Sequence, residues 1–211
     1  MAAVMRIGVV ADTHCPEFLP ELPAEVFERL RGVELILHAG DVGDEQTLRR
    51  LAEIAPVTAV RGDHDRRLGE LPARRVVEVG GRRVGLIHGN RSRLLEEPWT
   101  FLATFALGSW WPRGDQEGWV RRRFGRVDAV VYGHTHAARA AIVDGALVFN
   151  PGAVYQVTRA EAERRLAQRP GWFEWSWLQV IRHRRDRPVA SVGILELGPD
   201  GGFSARVLPL G

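Results

Sequence analysis

With 211 residues, 45% of them hydrophobic and 26% charged, the chain is long enough to bury a core of its own. This ordinary globular mixture excludes a collagen, a disordered tail and, with a single cysteine at Cys15, a disulfide scaffold. All 29 basic residues are arginine, set against 26 acidic ones for a formal charge of +3. The sequence pI near 9.9 therefore reflects the high pKa of the guanidinium and is not by itself a nucleic-acid signal.

The chain opens MAAVMRIGVVADTH, with no basic leader and an acid inside the apolar stretch, which reads as no signal peptide. The apolar run Arg6–Ala11 predicts a buried strand. Val26, Phe27 and Leu30 have helical spacing and predict a helix over 24–30. A strand over 34–38, a helix over 44–54 capped by Asp44 and a strand over 57–61 follow. Short strands alternating with helices favour βαβ units and a mostly parallel sheet. Gly80-Gly81 predicts a hairpin between strands 75–79 and 82–87. Residues 91–124 read as helical, with Pro98 and Pro112 as breakers. A strand over 127–132 precedes a second hairpin around Asp144-Gly145, with strands 138–143 and 146–149. After a helix over 159–168, a last hairpin pairs 189–197 with 203–208. No apolar run reaches the roughly 18 residues of a membrane span. The longest, from Trp99 to Trp111, contains Thr, Gly and Ser. These features predict one cytoplasmic α/β domain over 1–211 with no membrane partner.

Six of the seven histidines fall at or just beyond strand ends, beside Gly or Asp. The clusters are Asp12-Thr13-His14, His38-Ala39-Gly40-Asp41, Gly62-Asp63-His64-Asp65, His88-Gly89-Asn90 and Gly133-His134-Thr135-His136. Ligands of α/β sheets bind beyond the carboxyl ends of the strands, so five such loops can converge on one place. Imidazole and carboxylate suit Mn, Fe, Zn and similar divalent ions, and the chain has no thiolate set for a structural zinc site. Seven or eight candidate ligands exceed what one ion needs. That count points to two ions sharing a carboxylate, spaced to clamp a phosphoryl oxygen and activate a water between them. His38 fits a strand-end support better than a ligand, and His183 lies in a basic run without a partner motif.

The ordered motifs D-x-H, G-D, G-D-H-D, H-G and G-H-x-H resemble those of the calcineurin-like metallophosphoesterases. The short chain, the early D-T-H and Asn150-Pro151-Gly152 are similar to the compact bacterial and archaeal phosphodiesterase branch. The resemblance spans about residues 5–155 and the terminal hairpin. It implies a four-layer α-β-β-α sandwich of two mixed sheets with a dinuclear centre at the strand carboxyl ends. Carried over by position, Asp12, His14, Asp41 and His136 would bind one metal ion. Asp41 would bridge to a second, held also by Asp63, His88 and His134. Manganese is the first choice, with Fe, Zn, Ni or Mg as alternatives. His64 would face a small phosphate ester and assist the leaving group, Asp65 would orient His64, and a metal-bridging hydroxide would be the nucleophile. Asn150 would support the ligands from behind.

The sequence departs from the family where Asp63 replaces the usual Asn, where Cys15 replaces a small residue, and where Asn90 follows His88-Gly89 in place of a second His. The segment 156–188 is longer than the compact members have. It and 99–119 together hold all seven tryptophans. The first reading of these segments is a helical subdomain in which they pack together. The alternatives are a homodimer surface or a substrate wall, and, more remotely, nucleic-acid stacking. Two other function classes remain open at this point. One is a non-catalytic scaffold like the retromer subunit that shares the fold, against which the intact ligand set speaks. The other is a nuclease acting on polymers, against which the small charge and the absence of large additions speak.

Overall fold

The computed structural model describes residues 4–90, 115–183 and 189–211. The described residues form ten strands: β1 (Met5–Val10), β2 (Leu35–His38), β3 (Val57–Ala59), β4 (Arg74–Val79), β5 (Arg82–Ile87), β6 (Ala129–Val131), β7 (Arg139–Val143), β8 (Ala146–Asn150), β9 (Ser191–Leu197) and β10 (Phe203–Pro209). The described helices are α1 (Ala24–Arg29), α2 (Glu45–Ala52), α3 (Gln116–Arg121), α4 (Arg159–Ala167) and α5 (Trp172–His183). Only α3 of the helical stretch expected over 91–124 lies within the described residues.

The strands form two five-stranded mixed sheets, ordered β10-β9-β1-β2-β3 and β4-β5-β6-β8-β7. In the first, β1, β2 and β3 run parallel, and β9 joins β1 antiparallel. In the second, β5, β6 and β8 run parallel, with β4 and β7 antiparallel at the edges. The period-2 alternation of side chains decides how these sheets stack. Ile7, Val9, Leu37 and Leu195 of the first sheet meet Val84, Leu86, Val131 and Phe149 of the second in a fully buried inner core. On the opposite face of the first sheet, Val10, Ile36 and Ile194 pack against Val26 of α1 and Leu51 of α2. On the outer face of the second, Val130, Tyr132 and Val148 pack against Val120 of α3 and Phe124. Gly85 lets that last layer close: a Cβ there would meet the Phe124 ring at 2.8 Å. The result is the α-β-β-α layering implied by the motifs.

Local chemistry sets the boundaries. Asp44 accepts the Thr47 amide at 2.8 Å and starts α2 where the sequence placed the cap. Two of the three turns read as hairpins have left-handed φ at both central residues, Gly80-Gly81 and Asp144-Gly145. Two strands are shorter than the apolar runs predicted. Val60 and Tyr132 are fully or almost fully buried yet lie beyond the ladders of β3 and β6, so burial outlasts pairing there.

The chain divides into two units, one of residues 1–90, 115–155 and 188–211, the other of 91–114 and 156–187. Within the described part of the second unit, Thr158 caps α4 by accepting the Glu161 amide, and Arg165 of α4 donates to Glu174 of α5 at 3.0 Å. Ala162 and Leu178 are buried, while Trp172 and Trp175 are half exposed. Trp99, Trp110 and Trp111 lie outside the described residues, and so does the expected packing of the two Trp-bearing segments. Among the described residues no helix is long and apolar enough to cross a membrane.

Candidate metal centre

The loops after β1, β2, β3, β5 and β6 are tied to one another by hydrogen bonds, which brings their polar side chains together. Asp12 N–H donates to Gly40 O and Gly133 N–H to His88 O. The His134 amide donates to Asp12 at 3.1 Å. At the end of β8, Asn150 Nδ2 donates to Gly133 O and its Oδ1 accepts from Gly152, which braces the loop that carries His134 and His136.

Four overlapping triads of donor atoms result: Asp12, His14 and His136; Asp12, Asp41 and His88; Asp63, His88 and His134; and, nearer the surface, His14, Glu17 and His64. The Asp12-Asp41-His88 triad shares a member with each of the outer two, Asp12-His14-His136 and Asp63-His88-His134, and the fourth shares His14 with the first. Asp41 Oδ1 accepts the His64 amide at 2.9 Å. Its Oδ2 faces His14 Nε2 at 3.6 Å and His88 Nε2 at 3.3 Å. Asp12 Oδ1 lies 3.5 Å from His136 Nε2, and Asp63 Oδ2 lies 3.6 Å from His134 Nδ1. All seven residues read from the motifs as ligands therefore sit in one cluster.

The donor set fits divalent cations. His88 donates through Nδ1 to Ala39 O at 2.8 Å, which fixes the tautomer that frees Nε2 toward the cluster. That Nε2, although near Asp41, has no aligned hydrogen-bond partner, and neither has His14 Nδ1. Both atoms are buried, and orphaned buried nitrogens of this kind are what a cation would satisfy. The electrostatics agree. Burial favours the neutral form of Asp41, but His88, the His64 amide and His14 outweigh it and hold the carboxyl well below its usual range. Asp12 is likewise lowered, its burial overcome by His136 and His88. Burial pulls His88 down, yet Asp41 and Asp12 raise it to about 9. Burial lowers His14.

Backbone strain marks the same residues. Asp12, His14, Asp41, His134 and His136 have φ between 49° and 68°, five of the seven non-glycine residues in the left-handed region among the described residues. Each costs about 1–2 kcal/mol, and such outliers persist only where the surroundings over-determine them.

The family model of the calcineurin-like phosphoesterase superfamily domain matches residues 5–167, a span that contains all of these loops. The chain belongs to this superfamily. A probable metallophosphoesterase of Methanothermobacter thermautotrophicus is 38% identical over 151 residues, covering 70% of this chain and 76% of that protein. The crystal structure of Vps29 complexed with Zn²⁺ from Entamoeba histolytica matches with a TM-score of 0.60 and 21% identity over 97% of this chain and 99% of that one. An archaeal phosphodiesterase structure matches with a TM-score of 0.55 and 21% identity over 97% and 100%. At those identities the two structures establish the shared fold.

In this calcineurin-like phosphoesterase, His38 does what its strand-end position suggested. It accepts the Gly40 amide at Nδ1 and donates through Nε2 to Thr13, which donates in turn to Val42 O. Burial lowers its pKa to about 4, so it stays neutral.

One expectation is corrected. Asp65 does not orient His64. It is fully buried, with Oδ1 accepting the Gly43 amide at 3.0 Å and Oδ2 the Gly62 amide at 2.8 Å. It is thus a clasp between the β2 and β3 loops. The carboxylate at His64 Nδ1 is Glu17, at 3.1 Å. Sequence reasoning also missed that Asn90 donates to Asp63 Oδ1 at 2.7 Å, and that Phe18 stacks on Tyr155 with its ring 5.1 Å from that of His14. Glu17 and Phe18 follow the D-x-H motif after Cys15-Pro16, and that proximity was the available signal.

Proposed function

We propose that this protein is a phosphodiesterase that works with two divalent cations, manganese first among them, on small diesters in the cytoplasm. The observation that carries the reading is Asp41, whose single Oδ2 faces a histidine of each outer triad. This placement supports a carboxylate that two ions would share. Asp12, His14 and His136 would hold one cation with Asp41, and Asp63, His88 and His134 the other. When bound, such ions would supply Lewis acidity at the phosphoryl oxygens and lower the pKa of a coordinated water. The similarity to an archaeal phosphodiesterase supports the diester class. That every motif position keeps a competent donor speaks against a scaffold role.

The chain's own contribution beyond ligation centres on His64. Its main-chain amide is held by Asp41 Oδ1 while its ring stands edge-on to His14 with centroids 4.8 Å apart. From there it hands a proton to the leaving alkoxide oxygen as the P–O bond breaks, a contribution typically worth about 10²–10⁴-fold. The test is a panel of phosphodiesters, cyclic nucleotides and phosphomonoesters, run with metal-stripped protein and with each metal restored. Diester hydrolysis that depends on added metal supports the reading, and turnover of monoesters alone refutes it. H64A is expected to retain its metal, to lose most activity on alkyl or nucleoside diesters and to lose less on nitrophenyl diesters, whose leaving group departs without help. Loss of metal in H64A would place His64 among the ligands instead.

A further inference from the structure

We infer that Glu17 is the positioning residue for His64, the role that its neighbour Asp65 cannot fill; the inference rests on the phosphoesterase reading above. Both Asp65 oxygens are committed to main-chain amides on the buried side of the loop. Asp41 fixes only the His64 main chain, which leaves the ring two torsions of its own. Among the described residues, the hydrogen bond that fixes the ring is the one between Nδ1 and Glu17 Oε2.

The segment carrying Glu17 is itself anchored. The Cys15 amide donates to Val42 O, and the Phe18 amide donates back to His14 O at 2.8 Å, which closes a turn around Glu17. Phe18 then stacks on Tyr155 at 4.9 Å and sets its ring 5.9 Å from that of His64. The His64 ring is thereby flanked by His14 and Phe18 and pinned at Nδ1 by Glu17. Its Nε2 is left to deliver the proton to the leaving oxygen. Imidazoles that work at metal centres are commonly oriented in this way by a carboxylate on the opposite nitrogen.

The Glu17–His64 pair is about half exposed, with side-chain exposures of 46% and 43%. Such a pair contributes little to folding, so its removal separates positioning from stability.

The experiment uses the 211-residue chain loaded with zinc, one of the divalent ions its donor set suits and, unlike manganese, diamagnetic for the spectra below. E17A is expected to keep wild-type zinc content and melting temperature, to lose about 10–100-fold in kcat on an alkyl diester, and to lose less than about threefold on a bis-nitrophenyl diester. E17Q keeps an oxygen that accepts the Nδ1–H, so it should recover most of the alkyl-diester rate. In an H64A background, E17A should add less than about twofold, because the two side chains act as one unit. Imidazole ¹⁵N spectra give a readout independent of turnover: a protonated Nδ1 at His64 in the wild type and E17Q, and a tautomer mixture in E17A. Equal losses on both esters, additivity with H64A, or an unchanged His64 spectrum would overturn the inference. Loss of zinc in E17A would overturn it too, by making Glu17 a ligand. If E17A matches an active wild type, this inference alone fails. A metal-loaded wild type that hydrolyses no ester fails the phosphoesterase reading and takes the inference with it.

Discussion

Gly62 offers a sharp test of how the centre is held, because it is itself neither a proposed ligand nor part of the core, yet it lies against Asp41. A Cβ at position 62 would fall inside the contact distance of both Asp41 Oδ1 and the Asp41 main-chain nitrogen. Neither neighbour is the loose end of a flexible side chain. Oδ1 is held by the His64 amide, and the Asp41 main chain is already left-handed. In G62A the carboxylate must therefore retreat by at least about 1 Å, and a displacement of that size near a reacting centre costs about 10²-fold in rate. Because Asp41 Oδ2 is the atom facing both His14 and His88, the same retreat should weaken both cation sites together. The fold should survive, since Gly62 lies beyond β3 and packs against no inner-core side chain among its nearest neighbours. Elemental analysis after dialysis, paired with a thermal melt and a diester assay, reads all three quantities. A G62A protein that melts normally and keeps full metal content and wild-type turnover would refute the account of Asp41 as the shared ligand.

Asp63→Asn retains an oxygen toward His134 but removes a charge. It should bind the second ion roughly tenfold more weakly and turn over faster at saturating metal, which a Mn²⁺ titration at fixed diester would read; unchanged affinity would remove residue 63 from the ligand set. Since His88 is raised to about 9 in the metal-free protein, it carries a proton at neutral pH that an ion must displace. Metal affinity should therefore climb as pH rises toward about 9 and level off above it, and calorimetry in buffers of different ionisation enthalpy should detect the released proton; affinity flat across that range would contradict the assignment. Phe149→Ala, fully buried between the sheets, should cost about 3–5 kcal/mol in denaturant unfolding, and a loss under about 1 kcal/mol would deny the inner core its role.

Much of this molecule was legible in the sequence because its two main signals are local. Apolar runs such as Arg6–Ala11 end abruptly in polar motifs, so the strand and the loop that carries Asp12 and His14 were readable together. Asp44 announced its helix because capping depends on residues three apart. What was not legible depends on contacts distant in sequence. Nothing in Gly62-Asp63-His64-Asp65 tells that Asp65 turns inward to the Gly43 amide while Glu17, 47 residues away, comes to His64. Adjacency favoured Asp65, but the need to satisfy two buried amides decided the matter. Asn90 was set aside as a departure from the family pattern, and its value lies in a neighbour, Asp63, that only the fold supplies.

The left-handed conformations at Asp12, His14, Asp41, His134 and His136 have a consequence for how such a centre decays or is redesigned. The main chain there is held by amide-to-carbonyl and amide-to-carboxylate ties between loops, several of which do not involve the donor side chain of the residue they constrain. Asparagine and glycine accept this backbone at little cost, so replacing a histidine with either would erase chemistry while preserving the loop. β-branched replacements would erase both. A lineage that abandons catalysis can thus drift through Asn and Gly with its scaffold intact, and the dihedral angles outlast the donors as a fossil imprint of where cations once sat. For an engineer the same asymmetry runs in reverse: a catalytically silent chain that keeps five left-handed residues at these strand ends is a mould into which the donor set can be recast.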